Sequence, residues 1–192
     1  MNTQTLDTAA LADYLNGRLD GFSGALTAEK FPGGQSNPTF LISDGHHRWV
    51  LRRKPPGELL PSAHAVDREY RVLSALTDTD VPVARPFLLC EDDAVIGSMF
   101  YVMEHLDGRV FWDPKLPEIA GNDERAAMYD EMNRVLAALH NLDPEQLGLG
   151  DFGRPGNYFE RQVNRWTKQY RASETEHSEA MEALIAWLPQ NM

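Results

Sequence analysis

A chain of 192 residues with 42% hydrophobic and 9% aromatic content has the composition of a globular protein and room for one sizeable domain or two small lobes. Its formal net charge of −11 argues against nucleic acid and anionic membrane surfaces as partners. A single cysteine, Cys90, excludes an internal disulfide and a cysteine-based zinc cluster. The polar start MNTQTLDTAA is no signal peptide, and no apolar run approaches a membrane span, so a soluble, cytoplasmic protein is expected.

Asp7 or Thr8 is placed to cap a first helix carrying Leu11, Leu15 and Leu19 and ending near Gly21. A strand around Leu26–Phe31 leads to the turn Pro32-Gly33-Gly34-Gln35-Ser36-Asn37. Thr39–Ile42 then turns at Asp44-Gly45 and returns as Arg48–Arg52, a β-branched and aromatic run. Glycines let a backbone approach a ligand, and successive N–H groups in such a turn can cradle phosphate oxygens. Val50 and Arg52 are two apart and share a face. One can wall an apolar ring while the other reaches toward anionic oxygens. Taken alone, such residues more often describe a plain β-meander.

Pro55 and Pro56 interrupt any helix, and Ser62 is placed to cap the next, from about Ala63 to Leu76. Val66, Tyr70, Leu73 and Leu76 form its apolar stripe. Glu69 borders that stripe, where a carboxylate is costly unless paired. Arg52 on the neighbouring strand is one partner; Arg68 and Arg71 on the same helix are the alternative. Val81-Pro82-Val83 reads as an edge segment, followed by strands over Ala84–Cys90 and Ser98–Glu104. After Asn122 the period becomes helical. Met128, Met132, Val135 and Leu139 mark one helix; Phe159, Val163, Trp166 and Tyr170 a second; Met181, Leu184, Ile185 and Leu188 a third. The expected class is therefore α+β, a mostly antiparallel β half (1–106) followed by a helical half (107–192).

The order glycine-rich hairpin, basic third strand, helix glutamate and hinge is that of a protein-kinase-like N-lobe. The stretches FPGGQSNPTF, WVLRRKPPG, LLPSAHAVDREYRVLSAL, GSMFYVMEHLDGRVF and RQVNRWTKQY resemble the aminoglycoside phosphotransferase and choline-kinase-like family. They are most similar to its branch found alone or joined to acyl-CoA dehydrogenases. The resemblance implies a protein-kinase-like fold and a phosphotransferase using ATP or GTP with Mg2+ on a small-molecule hydroxyl. It further implies that Gly33, Gly34, Gln35, Ser36 and Asn37 form the nucleotide-covering loop. Val50 would line the base, and Arg52 would stand in the place of the family's phosphate-pairing lysine. Glu69 would be its helix partner and Met103 the residue behind the adenine. Glu104 would offer a backbone carbonyl, and Leu106 a backbone N–H, to the base. Arginine keeps the lysine's charge with a bulkier, forked geometry. Arg53 and Lys54 are expected on other faces, solvated; a register one residue off would hand the role to Arg53.

The family's His-Gly-Asp-x-x-x-x-Asn loop and its later Asp-x-Asp magnesium site have no counterpart among these 192 residues. No catalytic or metal-binding residue is therefore assigned. The helical half is expected to be an incomplete C-lobe, truncated before that loop, inactive alone and prone to self-association through exposed apolar surface. A nucleotide- or partner-binding module without catalysis is the rival reading. Asp151-Phe152-Gly153 spells a kinase metal-binding tripeptide but precedes two helices, so it reads as a glycine-rich turn. His140 reads as a helix C-terminal residue. His46, His47, His64, His105 and His177 show no metal-ligand spacing.

Overall fold

The computed structural model describes residues 6–32, 37–55, 64–153 and 156–192. They divide into two compact units, 1–147 and 148–192. In the first unit, α1 (Thr8–Leu15) is capped by Asp7, whose carboxylate accepts from the Ala10 N–H at 3.0 Å. The helix stops at Leu15 rather than near Gly21: Asn16 closes it and Gly17, at φ +72°, turns the chain away. Leu19 remains buried beyond the helix end.

The strands β1 (Thr27–Lys30), β2 (Thr39–Ser43), β3 (Arg48–Arg53), β4 (Pro86–Cys90) and β5 (Phe100–Glu104) form an antiparallel sheet in the order β1-β2-β3-β5-β4. The β2–β3 hairpin is fixed by Asp44, whose side chain accepts from the N–H groups of His46 (2.9 Å), His47 (2.7 Å) and Ser23 (3.1 Å). Gly45, at φ +91°, supplies the left-handed residue this turn needs. Three backbone donors on one carboxylate hold the Asp44 acid far below the usual range. At the far edge, β4 begins at Pro86, and its register with β5 shifts between Pro86 and Leu88. Val81–Val83 is no strand, although Val81 is buried.

Strand alternation gives the sheet two unlike faces. Phe40, Leu51 and Val102 line up across β2, β3 and β5 on one face, and with Ile42, Trp49 and Phe100 they pack against Leu11, Leu15 and Phe22. This is the core of the unit. The opposite face carries the rows Thr39–Arg52–Tyr101 and Leu41–Val50–Met103. Helix α2 (Val66–Leu76) lies against β4 and β5. It begins at Val66, with Ala65 in the capping position; the expected start at Ser62 and Ala63 falls outside the described residues. Val66 and Leu76 are its buried residues. The long helix α3 (Asn122–His140) closes the unit with His140 in its last turn and Asn141 as its cap. Its apolar stripe is not buried: Met132 is 63% exposed, and Met128, Val135, Leu136 and Leu139 line an open groove of about 980 Å3.

The second unit holds α4 (Tyr158–Ser173), α5 (Glu179–Trp187) and a short 3-10 turn, Leu188–Gln190. Ser178 caps α5 by accepting from the Met181 N–H. Arg171 pairs with Glu182 across the two helices. Trp166 and Trp187 are 58% and 56% exposed.

Candidate functional site

The polar row of the outer face is organised by one carboxylate. Glu69, one turn into α2, receives Arg52 from β3, with Nε to Oε2 at 2.6 Å and Nη2 to Oε1 at 3.4 Å. The Asn37 amide donates to Oε1 at 2.9 Å, and the Tyr101 hydroxyl donates to Oε2 at 3.1 Å. Arg52 Nη1 donates to Thr39 Oγ1 at 3.0 Å. The cross-strand register explains this convergence, because Thr39, Arg52 and Tyr101 occupy one row. Charge-assisted bonds of this kind are about twice as strong as neutral ones. They compensate a carboxylate whose side chain keeps only 35% exposure. Burial first, then the Glu69 charge and hydrogen bond, raise the Tyr101 phenol well above the ordinary tyrosine value, against the opposing charge of Arg52.

The next row, Leu41–Val50–Met103, is apolar and adjoins Arg52. Val50 is buried and Met103 half-buried. β5 ends at Glu104, whose N–H donates to the Arg85 carbonyl at 2.8 Å. From His105 the backbone leaves the sheet, and Leu106 is 60% exposed. Gly33, Gly34, Gln35 and Ser36 lie outside the described residues; Asn37, at the end of that segment, is buried.

Of the two partners open to Glu69 in the sequence, the structure brings it to Arg52. Arg53 is not solvated as expected. It points into the core face and is 3% exposed; its Nη1 donates to the Ile96 carbonyl at 3.3 Å, and its guanidinium lies 5.8 Å from the Phe40 ring centre. Its Nε is buried and has no partner among the described residues, and burial lowers its pKa. The cause is strand alternation: Arg52 on the outer face forces Arg53 onto the inner one. Lys54 is half-buried, with Nζ 3.9 Å from Asp67 on α2. Asp151-Phe152-Gly153 is a turn ahead of α4. The structure gathers His177 with Glu174 and Glu182, their ligand atoms within 4.8 Å of one another, but Arg171 already pairs with both carboxylates. Thr39, His64 and Tyr101 join the site without a signal in the sequence pattern. Their partners lie 13 to 32 residues away in the chain.

A five-stranded antiparallel sheet whose central strand offers a basic side chain to a helix glutamate, followed by helices, defines an α+β protein-kinase-like fold. The chain belongs to the Phosphotransferase enzyme family, whose model matches residues 27–192. It is similar to a solved structure of a candidate aminoglycoside phosphotransferase from Ralstonia eutropha. That likeness has a TM-score of 0.80 and 51% identity, covering 98% of this chain and 54% of the other. It is also 46% identical to acyl-CoA dehydrogenase family member 11 of Mus musculus over 190 residues, which is 97% of this chain and 24% of that protein. Identity to family member 10 of the same species is 46% over 191 residues, 99% of this chain and 18% of that protein. The chain thus spans a quarter or less of the length of these two curated relatives.

Proposed function

We propose that the first unit binds the nucleoside triphosphate of a small-molecule phosphotransferase, one that transfers the γ-phosphoryl of ATP or GTP to an alcohol. The observation that carries this reading is the adjacency of the two rows on the outer face. Arg52 is held at a fixed position by Glu69 and Thr39. Beside it, Val50 and Met103 offer an apolar wall of the kind a purine ring stacks on. The segment 33–37 would cover the phosphates with its backbone, and Glu104 and Leu106 would meet the edge of the base with theirs. The N-lobe boundary near residue 106, the roles of these residues and a cytoplasmic location belong to this proposal; among the described residues no helix is long and apolar enough to cross a membrane.

Magnesium fits these residues poorly. Among the described carboxylates of this face, Glu69 is taken up by three donors, and Glu29 is exposed on β1, two strands away. No step is assigned to the ion here. The aspartate that positions an acceptor hydroxyl in this chemistry is also without counterpart in the sequence. This chain is therefore expected to bind nucleotide without turning it over. Calorimetric titration with ATP and with GTP tests the binding, with Arg52→Ala as the control that abolishes it. Acceptor-dependent ADP or GDP release that is lost in Arg52→Ala would overturn the non-catalytic part. Absence of nucleotide binding by the folded chain would overturn the whole. The unburied apolar stripe of α3, together with exposed Trp166 and Trp187, supports self-association as a further property of the chain.

A further inference from the structure

Asn37 is 4% exposed, deeper than the Arg52 and Glu69 side chains it adjoins, which are 30% and 35% exposed. Its amide is engaged at both ends. Nδ2 donates to Glu69 Oε1 at 2.9 Å, so Oδ1 is the atom that meets His64 Nδ1 at 2.9 Å. That assignment makes Nδ1 the protonated nitrogen of the imidazole. The Asn37 backbone carbonyl accepts from Thr39 Oγ1 at 3.2 Å, and the same hydroxyl accepts from Arg52 Nη1 at 3.0 Å. Both branches from Asn37 therefore end on Arg52. His64 itself stands in the left-handed region at φ +59°, an uncommon conformation for a residue with a β-carbon and one in which His is enriched.

The geometry at Glu69 shows what this arrangement does. An arginine–carboxylate pair frequently forms a fork of two parallel N–H···O bonds. Here the fork is skewed, with 2.6 Å at Nε and 3.4 Å at Nη2; Asn37 shares Oε1 at 2.9 Å, closer than Nη2, while Tyr101 shares Oε2 at the longer 3.1 Å. Arg52 is anchored through Nε and Nη1, and Nη2 is left only weakly committed. A weakly committed guanidinium donor is free to meet an anionic oxygen of a bound nucleotide.

We propose that the Asn37 and His64 side chains are positioning residues: they hold Glu69 in the skewed fork that keeps Arg52 Nη2 available, and neither touches nucleotide. The proposal rests on the reading of the Arg52 face as a nucleotide site. The test uses the full chain, ATP titration with Mg2+ present, and NMR of the arginine Nε–H groups in each variant, with thermal unfolding to confirm folding. Asn37→Ala is expected to weaken ATP binding about 3- to 10-fold, the size of one charge-assisted bond shared with solvent, and to shift the Arg52 Nε–H resonance. His64→Ala is expected to act in the same direction to a smaller extent, and His64→Gln to restore binding, because its amide can donate to the same Oδ1. Unchanged affinity and resonance in Asn37→Ala would overturn the proposal. Weakened binding with an unmoved Arg52 resonance would overturn it too, since Asn37 would then be a direct ligand contact. If the native chain binds no ATP, the nucleotide reading fails; the Arg52 resonance in the two alanine variants still decides whether Asn37 and His64 set the fork.

Discussion

Glu69→Ala is the substitution that discriminates best, because it removes one acceptor from three donors at once. Tyr101 and Asn37 are 2% and 4% exposed, so water does not readily replace the carboxylate for them. A buried donor left unsatisfied costs about 1–3 kcal/mol. Arg52 keeps Thr39 and is 30% exposed, so its own loss is largely made good by solvent. The expected loss is therefore about 2–4 kcal/mol, less than a sum over three bonds. For a protein of this size that lowers Tm by on the order of 10 °C. Arg52→Ala is expected to cost less, about 1 kcal/mol, since Glu69 keeps two buried donors and the third site faces solvent. Thermal and urea unfolding of the two single variants and the double variant measure both values and their coupling. A Glu69→Ala loss below about 0.5 kcal/mol would make the cluster an ordinary surface ion pair, and an Arg52→Ala loss exceeding that of Glu69→Ala would make Arg52, not Glu69, the centre of the cluster.

Arg53→Met is expected to leave stability unchanged or raise it, because it keeps the packing on Phe40 and removes a buried charge whose Nε has no partner among the described residues; a loss above about 2 kcal/mol in urea unfolding would show a compensating partner instead. Burial and Glu69 hold Tyr101 protonated past the ordinary phenol range, and Tyr14 is pushed up to about 12, first by its hydrogen bond to Cys90 and then by burial. Both contributions are fully present below the unfolded tyrosine value and decline as pH rises through the folded one. Burial and then Glu174 raise Tyr170 as well, so absorbance titration should show three late phenols, one of them gone in Tyr101→Phe. Asp44 has the opposite sign: its folded acid is depressed, so its contribution holds above the unfolded value and fades as pH falls, and Asp44→Asn should flatten the acid limb of the stability profile. Sedimentation over a concentration series checks self-association; Met132→Lys on α3 should weaken it, and a strict monomer at all concentrations would refute it.

The order of elements could be read directly from the sequence, for local reasons. Asp7 is a good capping residue ahead of an apolar period, Asp44-Gly45 fits only a tight turn, and the Met128–Leu139 period is helical. The pair Arg52–Glu69 was legible as one of two options, because alternation put Arg52 beside Val50 and the helix period put Glu69 at the rim of its apolar stripe. The rest of the cluster was not. Tyr101 and Asn37 each reach Glu69 across 32 residues of chain, and nothing in their neighbourhoods marks them as partners. The burial of Arg53 is hidden in the sequence because a basic residue without a nearby carboxylate is ordinarily solvated. Here the placement of Arg52 settles that of its neighbour. The end of α1 was placed too late because Leu19 continues the helical period, while the Asn16-Gly17 stop signal prevails over it.

The two ends of the sheet carry a consequence for how copies of the chain can meet. An exposed strand edge is a template onto which another chain can add hydrogen bonds. β1 has only four residues and exposes a charged side chain, Glu29. β4 opens with Pro86, which has no N–H to give, and its shifted register near Leu88 interrupts the regular ladder. Neither edge offers a long, flat run of free backbone groups. Strand-by-strand growth into fibrils is therefore discouraged at both borders, and any assembly of this chain is directed to the helical surfaces, where contacts are made by side chains and can be undone one residue at a time.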